Sequence, residues 1–136
     1  MLPLRYTAVW RFLSVVLVLA VITAMLAPPD WFGSNDDGPS WFAHADKLAH
    51  GLTFIVLAVW FAGLFEQRRY LALAGILIVF GMLVEVCQHL VGYRTADWLD
   101  FAANTLGILL GLSIALAGLG GWGLWLEDWY SRRTQH

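Results

Sequence analysis

Charge is what this sequence has least of. Of its 136 residues only 13% are charged, whereas 60% are hydrophobic, and the mean hydropathy is +0.67. So few ionisable groups on so apolar a chain exclude an ordinary soluble domain of this size and leave a membrane as its natural solvent. Nor is there a basic excess: the net charge of -2 averages segments of opposite sign and supports neither nucleic-acid binding nor a globally acidic partner surface. Cys87 is the one cysteine. That excludes an internal disulfide framework and a Cys-rich metal site, and a lone cysteine in an apolar run reads as a packing residue. Dinucleotide fingerprints, phosphate-binding Gly-rich loops and haem attachment motifs are missing as well, so no cofactor and no metal are expected. Internal repeats and linkers to a second domain are also lacking, which makes residues 1–136 a single unit.

What remains is apolar and helical in length. Four stretches approach the roughly 20 residues that a helix needs to cross the hydrocarbon core: Ala8 to Ala27, Leu48 to Phe65, Tyr70 to Val91 and Phe101 to Leu126. The expected fold is therefore all-α, a polytopic membrane bundle of about four transmembrane helices. Arg5 and Arg11 with the apolar run behind them also fit a cleaved secretory signal. No convincing small-x-small site precedes Pro28, however, so the first span reads as retained.

Basic residues near spans tend to stay cytoplasmic. Arg5 and Arg11 precede the first span, Arg68 and Arg69 fill the turn between the second and third, and Arg132 and Arg133 follow the fourth. These assign both termini to the cytoplasmic side of a bacterial inner membrane. The loop from Pro28 to Lys47 carries Asp30, Asp36, Asp37 and Asp46 against Lys47, and the last connection carries Arg94 with Asp97 and Asp100; both read as external. Pro28, Pro29, Gly33, Gly38 and Pro39 make the first of these loops irregular. Trp31, Trp41 and Trp98 fall near the outer boundary and Trp10, Trp122, Trp125 and Trp129 near the inner one, as indoles at headgroup level should.

The polar residues of the later spans are patterned. Asp46, Lys47 and His50 open the second span at spacings that place the first two beside His50 on a helix. Gly81, Glu85, Gln88 and Gly92 follow one face of the third span, and Asp97, Asp100, Asn104, Gly107 and Gly111 follow one face of the fourth. Alternating topology brings these three groups to the same end of the bundle. Glu85 lies deepest, about 9 Å below Val91 at 1.5 Å per residue, where a lipid-facing carboxylate would cost roughly 2.5 to 3.5 kcal/mol. It is expected to face the bundle, beside Lys47, Arg94 or a protonated histidine. Such residues also serve simply to hold helices in register, and Gly107-x-x-x-Gly111 permits close packing beside Asn104.

At these residues the chain resembles the VanZ-like family of small bacterial membrane proteins. The matching pieces are Asp46-Lys47-x-x-His50, Glu85-x-x-Gln88, and Arg94 followed by Asp100, Asn104, Gly107 and Gly111, spanning residues 46–111. Phe54 stands where many members carry a tyrosine, so a hydroxyl is missing there. The resemblance implies a multi-span helical protein of the cell envelope, in a family named for a protein associated with teicoplanin resistance.

Three functions compete. The favoured one is a non-enzymatic protein whose external polar pocket, built from Asp46, Lys47, His50, Glu85, Gln88, Arg94, Asp100 and Asn104, engages a lipid-linked cell-wall precursor or a lipoglycopeptide. Lys47 and Arg94 would meet phosphate or carboxylate groups. An intramembrane hydrolase or transferase would instead use Glu85 or Asp100 as base and His50 or His89 as acid or metal ligand. The paired histidines of His-Glu-x-x-His and a Gly-x-Ser-x-Gly elbow are both missing, which weighs against it. An accessory subunit would dock on a larger membrane complex through Gly107, Gly111, Gly118 and Gly121.

Overall fold

The computed structural model describes residues 1–27, 41–91 and 98–133, with backbone alone for 41–46. Its helices are α1 (Thr7–Leu26), α2 (Trp41–Leu64), α3 (Tyr70–Leu90), α4 (Trp98–Ile114) and α5 (Trp122–Arg133), with a 3-10 turn at Gln67–Arg69 between α2 and α3. Among the described residues four helical segments are long and apolar enough to cross a membrane: Thr7–Leu26, Lys47–Leu64, Gln67–Leu90 and Trp98–Leu119. The chain is a multi-pass membrane protein of all-α class. Large apolar side chains on the outside of α1, α3 and α4, such as Phe12, Leu19, Leu71, Ile76, Leu106 and Leu110, are exposed and form the surface that lipid covers.

The second span, Lys47–Leu64, agrees with the expected Leu48 to Phe65, and its helix extends back to Trp41, so that Asp46 and Lys47 sit on helix as their spacing to His50 implied. The helices depart from the expected spans in one place. The run from Phe101 to Leu126 does not cross as one helix: α4 passes into a π turn at Ala115–Leu119 and stops, and α5 starts afresh at Trp122. Two glycines cause the break. Gly118 has φ 143° and Gly121 has φ 73°, conformations open to glycine and strained for residues with a Cβ.

The core lies between α2 and α4. Phe54, Leu57, Ala58, Ile108 and Leu112 meet there, closed from the side by Leu77 and Val84 of α3. Two glycines set the approach of the two helices. A Cβ on Gly107 would stand 2.3 Å from the carbonyl oxygen of Gly51, and one on Gly111 would stand 2.7 Å from Cβ of Ala58 and 2.8 Å from the Ile55 oxygen. The small-residue face that Gly107 and Gly111 would offer a partner protein is thus occupied by α2 of the same chain. α1 packs more loosely, with Trp10, Val21 and Met25 buried.

The end of the bundle that holds the start of α1, the α2–α3 turn and α5 is locked by tryptophans and one carboxylate. Trp10, Trp60 and Trp122 stack edge to face with centroids 5.4 to 5.9 Å apart. Their indoles are anchored: Trp60 donates to Ser14 Oγ at 2.9 Å and Trp122 to the Val59 carbonyl at 3.1 Å. α1 has no side-chain cap of its own at Tyr6 and no acidic residue in its first turn. Glu127 of α5 does that work, accepting from the backbone N–H groups of Arg5 (2.7 Å) and Tyr6 (3.0 Å) and from the Trp10 indole (2.7 Å). Burial pushes the Glu127 carboxyl up, but those three donors and the Arg5 guanidinium outweigh it and hold the group below its ordinary 4.5.

Candidate functional site: a buried polar cluster at the opposite end

The opposite end gathers the start of α2, the last turns of α3 and the start of α4. On α2 the i, i+3 spacing points Lys47 and His50 to one side; Asp100 and Asn104, at i and i+4, do the same on α4. Glu85 and Gln88 complete the set from α3. His50, Glu85, Gln88, Asp100 and Asn104 are all buried, with Asn104 1% exposed.

Their contacts form two linked groups. Lys47 Nζ donates to Asp100 Oδ1 at 2.9 Å, and the lysine side chain is 28% exposed against 10% for the aspartate. Lys47 is the member that reaches the surface. One turn deeper, His50 Nδ1 donates to Asn104 Oδ1 at 3.2 Å, and the Asn104 amide donates to Glu85 Oε1 at 3.3 Å. With the Asn104 amide nitrogen turned to Glu85, its oxygen faces His50, so Nδ1 carries the donated proton of this contact. Glu85 Oε1 is also 3.6 Å from His50 Nδ1, close enough for strong electrostatic coupling but beyond a hydrogen bond. Three helices are therefore stitched at one level: α2 to α4 through His50 and Asn104, α4 to α3 through Asn104 and Glu85.

Gln88 does something else. Its amide donates to the Met25 carbonyl at 2.8 Å, satisfying an acceptor that the last turn of α1 leaves open and tying the first helix to the site. Glu85 faces the bundle as its depth required, beside His50 and Asn104, and Lys47 pairs with Asp100. His89, a candidate acid or ligand by sequence, is exposed on the other side of α3 and is not part of the cluster. The Asp46 side chain and Arg94 lie outside the described residues. Beneath the cluster Phe54 closes the floor: it is fully buried, and a Cβ on Gly81 would stand 3.2 Å from its Cζ. No short motif marked Met25, which takes part as a backbone acceptor.

Chemically the cluster offers a fixed ammonium at the bilayer boundary, a carboxylate and an imidazole held in contact below it, and an amide that bonds both. It belongs to a small polytopic helical membrane protein whose polar residues converge from three spans at one end. A family model described as VanZ/LLP1 matches residues 4–119, and the chain belongs to that family. Comparison with curated proteins gave no match, and comparison with solved structures gave none either.

Proposed function

We propose that this protein is a non-enzymatic component of the bacterial envelope whose polar end faces outward from the cytoplasmic membrane and binds the anionic head group of an amphiphile. The placement of Lys47 carries the reading. Its ammonium reaches the surface while Asp100 holds it in position, at the edge of a buried polar cluster whose helices turn apolar side chains such as Leu48 and Leu99 outward. A phosphate or carboxylate would receive a charge-assisted hydrogen bond there, while its acyl chains stay in the bilayer beside α3 and α4. Arg94, in the connection just before α4, would add a second cation. The opposite end carries Arg5, Arg68, Arg69, Arg132 and Arg133, which supports a cytoplasmic assignment for that end and for both termini.

Among amphiphiles, a lipid-linked cell-wall precursor or a lipoglycopeptide such as teicoplanin suits the family and the geometry. The experiment measures binding of labelled lipid-linked precursor to purified protein in nanodiscs, together with glycopeptide sensitivity of cells that express it. Lys47→Met and Arg94→Ala should each weaken binding and lower resistance while membrane insertion is kept. Binding and sensitivity unchanged in the double variant would sink the proposal.

A further inference from the structure

His50, Glu85 and Asp100 are all buried at one end of the bundle, and Lys47 donates to Asp100. One ring nitrogen of His50 and one carboxylate oxygen each of Glu85 and Asp100 lie within 4.8 Å of one another, all three side chains buried. Each comes from a different helix, so no sequence-local ligand motif announces the group.

We propose that His50, Glu85 and Asp100 form a binding site for a first-row divalent cation, with Zn2+ and Mn2+ the fitting ions. Metal–nitrogen and metal–oxygen bonds of roughly 2.0 to 2.2 Å put two ligands on a tetrahedral ion about 3.4 Å apart. The 3.6 Å between His50 Nδ1 and Glu85 Oε1, too long for a hydrogen bond, matches that edge. Asn104 Oδ1, 3.2 Å from the same nitrogen, stands within reach as a fourth donor. Asp100 has to close by up to about 1.4 Å from the outer limit of the group, a small side-chain rotation. One imidazole with carboxylate and amide oxygens suits zinc or manganese; the cluster has no thiolate to select a softer ion, and Cys87 is exposed elsewhere.

Binding exchanges one cation for another. Without metal, the His50 proton sits on Nδ1 and bonds to Asn104, and the Lys47 ammonium holds Asp100. With metal, the ion takes the Nδ1 lone pair, the ring proton moves to Nε2, and Lys47 is released toward the surface. The two carboxylates then face a double positive charge, and the Lys47–Asp100 contact is given up. Lys47 is thus a competitor of the metal, an expectation that a purely architectural cluster does not share.

The full chain, purified in detergent and stripped with chelator, is titrated with ZnCl2 by calorimetry and with MnCl2 by electron paramagnetic resonance. One ion should bind per chain and raise the melting temperature. Asp100→Asn and His50→Gln should each weaken binding by about tenfold or more. Lys47→Met should tighten it, and His89→Ala should leave it unchanged. No saturable binding overturns the inference, as does binding that survives both ligand substitutions or fails with His89→Ala. Because Lys47→Met keeps every ligand, it tests the site even if a ligand variant does not assemble. Head-group binding plays no part in these readouts, so their failure is distinct from failure of the amphiphile proposal.

Discussion

Replacing Gly107 by alanine adds one methyl group at the tightest point of the bundle, and its cost can be worked from distances. The new Cβ would lie 2.3 Å from the Gly51 oxygen and 3.1 Å from Cβ of Phe54. Carbon and oxygen settle at about 3.3 to 3.6 Å, so α2 and α4 must part by about 1 Å along this seam. Backbone cannot swing aside as a side chain does. Overpacking of this kind costs about 1 to 3 kcal/mol. Parting the helices also stretches the Lys47–Asp100 and His50–Asn104 contacts, which bridge the same pair, and interhelical hydrogen bonds in membranes average about 0.6 kcal/mol each. The sum is about 2 to 4 kcal/mol, or a factor of about 30 to 1000 in the folding equilibrium. Gly75 provides the control, since a Cβ there meets nothing within 4 Å; Gly75→Ala should be neutral or should stabilise by no more than about 1 kcal/mol. Unfolding in mixed micelles with rising fractions of denaturing detergent, followed by tryptophan fluorescence, compares the two. If Gly107→Ala unfolds with the wild type, or if both variants shift alike, the close approach of α2 and α4 does not hold the bundle together.

Acid should loosen the tryptophan end. The Glu127 carboxyl is held below 4.5 in the folded protein, so its stabilising effect is complete above that value and is lost as pH falls through the lower folded value. Fluorescence should therefore change only below about pH 4.5, and a midpoint near pH 6 would refute the assignment. Glu127→Gln, which keeps the shape but removes the charge from three donors, should cost about 1 to 3 kcal/mol and abolish that acid transition. A charge swap tests the pair at the other end: Asp100→Lys alone should lower the melting temperature sharply, and adding Lys47→Asp should restore part of the loss, whereas additive effects would deny the contact. Gly118→Ala must hold a Cβ at φ 143°. It should cost about 1 to 2 kcal/mol and expose α5 to limited proteolysis, and an unchanged digestion pattern would show that α5 is not set by this bend.

Periodicity carried the reading of the site because each contributing helix presents its polar residues at three- and four-residue intervals. Such spacing survives whatever the neighbours are, so Lys47, His50, Glu85, Asp100 and Asn104 could be brought together before any contact was known. Which of them pair is a matter of depth, and depth along three separate helices is not written in spacing; the contacts of Glu85 with His50 and Asn104 and of Lys47 with Asp100 come from the fold. The end of α4 was hidden: Gly118 and Gly121 interrupt an apolar run without changing its hydropathy, and only their backbone angles reveal a corner. Glu127 gave no local signal at all. Its partners, Arg5, Tyr6 and Trp10, are separated from it by almost the whole chain.

That separation has a consequence for how the protein is made. The N–H groups opening α1 receive their acceptor from a residue 122 positions further along, which leaves the ribosome only after the four spans have been synthesised. Until then the N–H groups at the start of α1 have water or lipid head groups as partners. Arrival of α5 closes the chain on itself, and the N–H groups that open the helix synthesised first are among the last to find their acceptor.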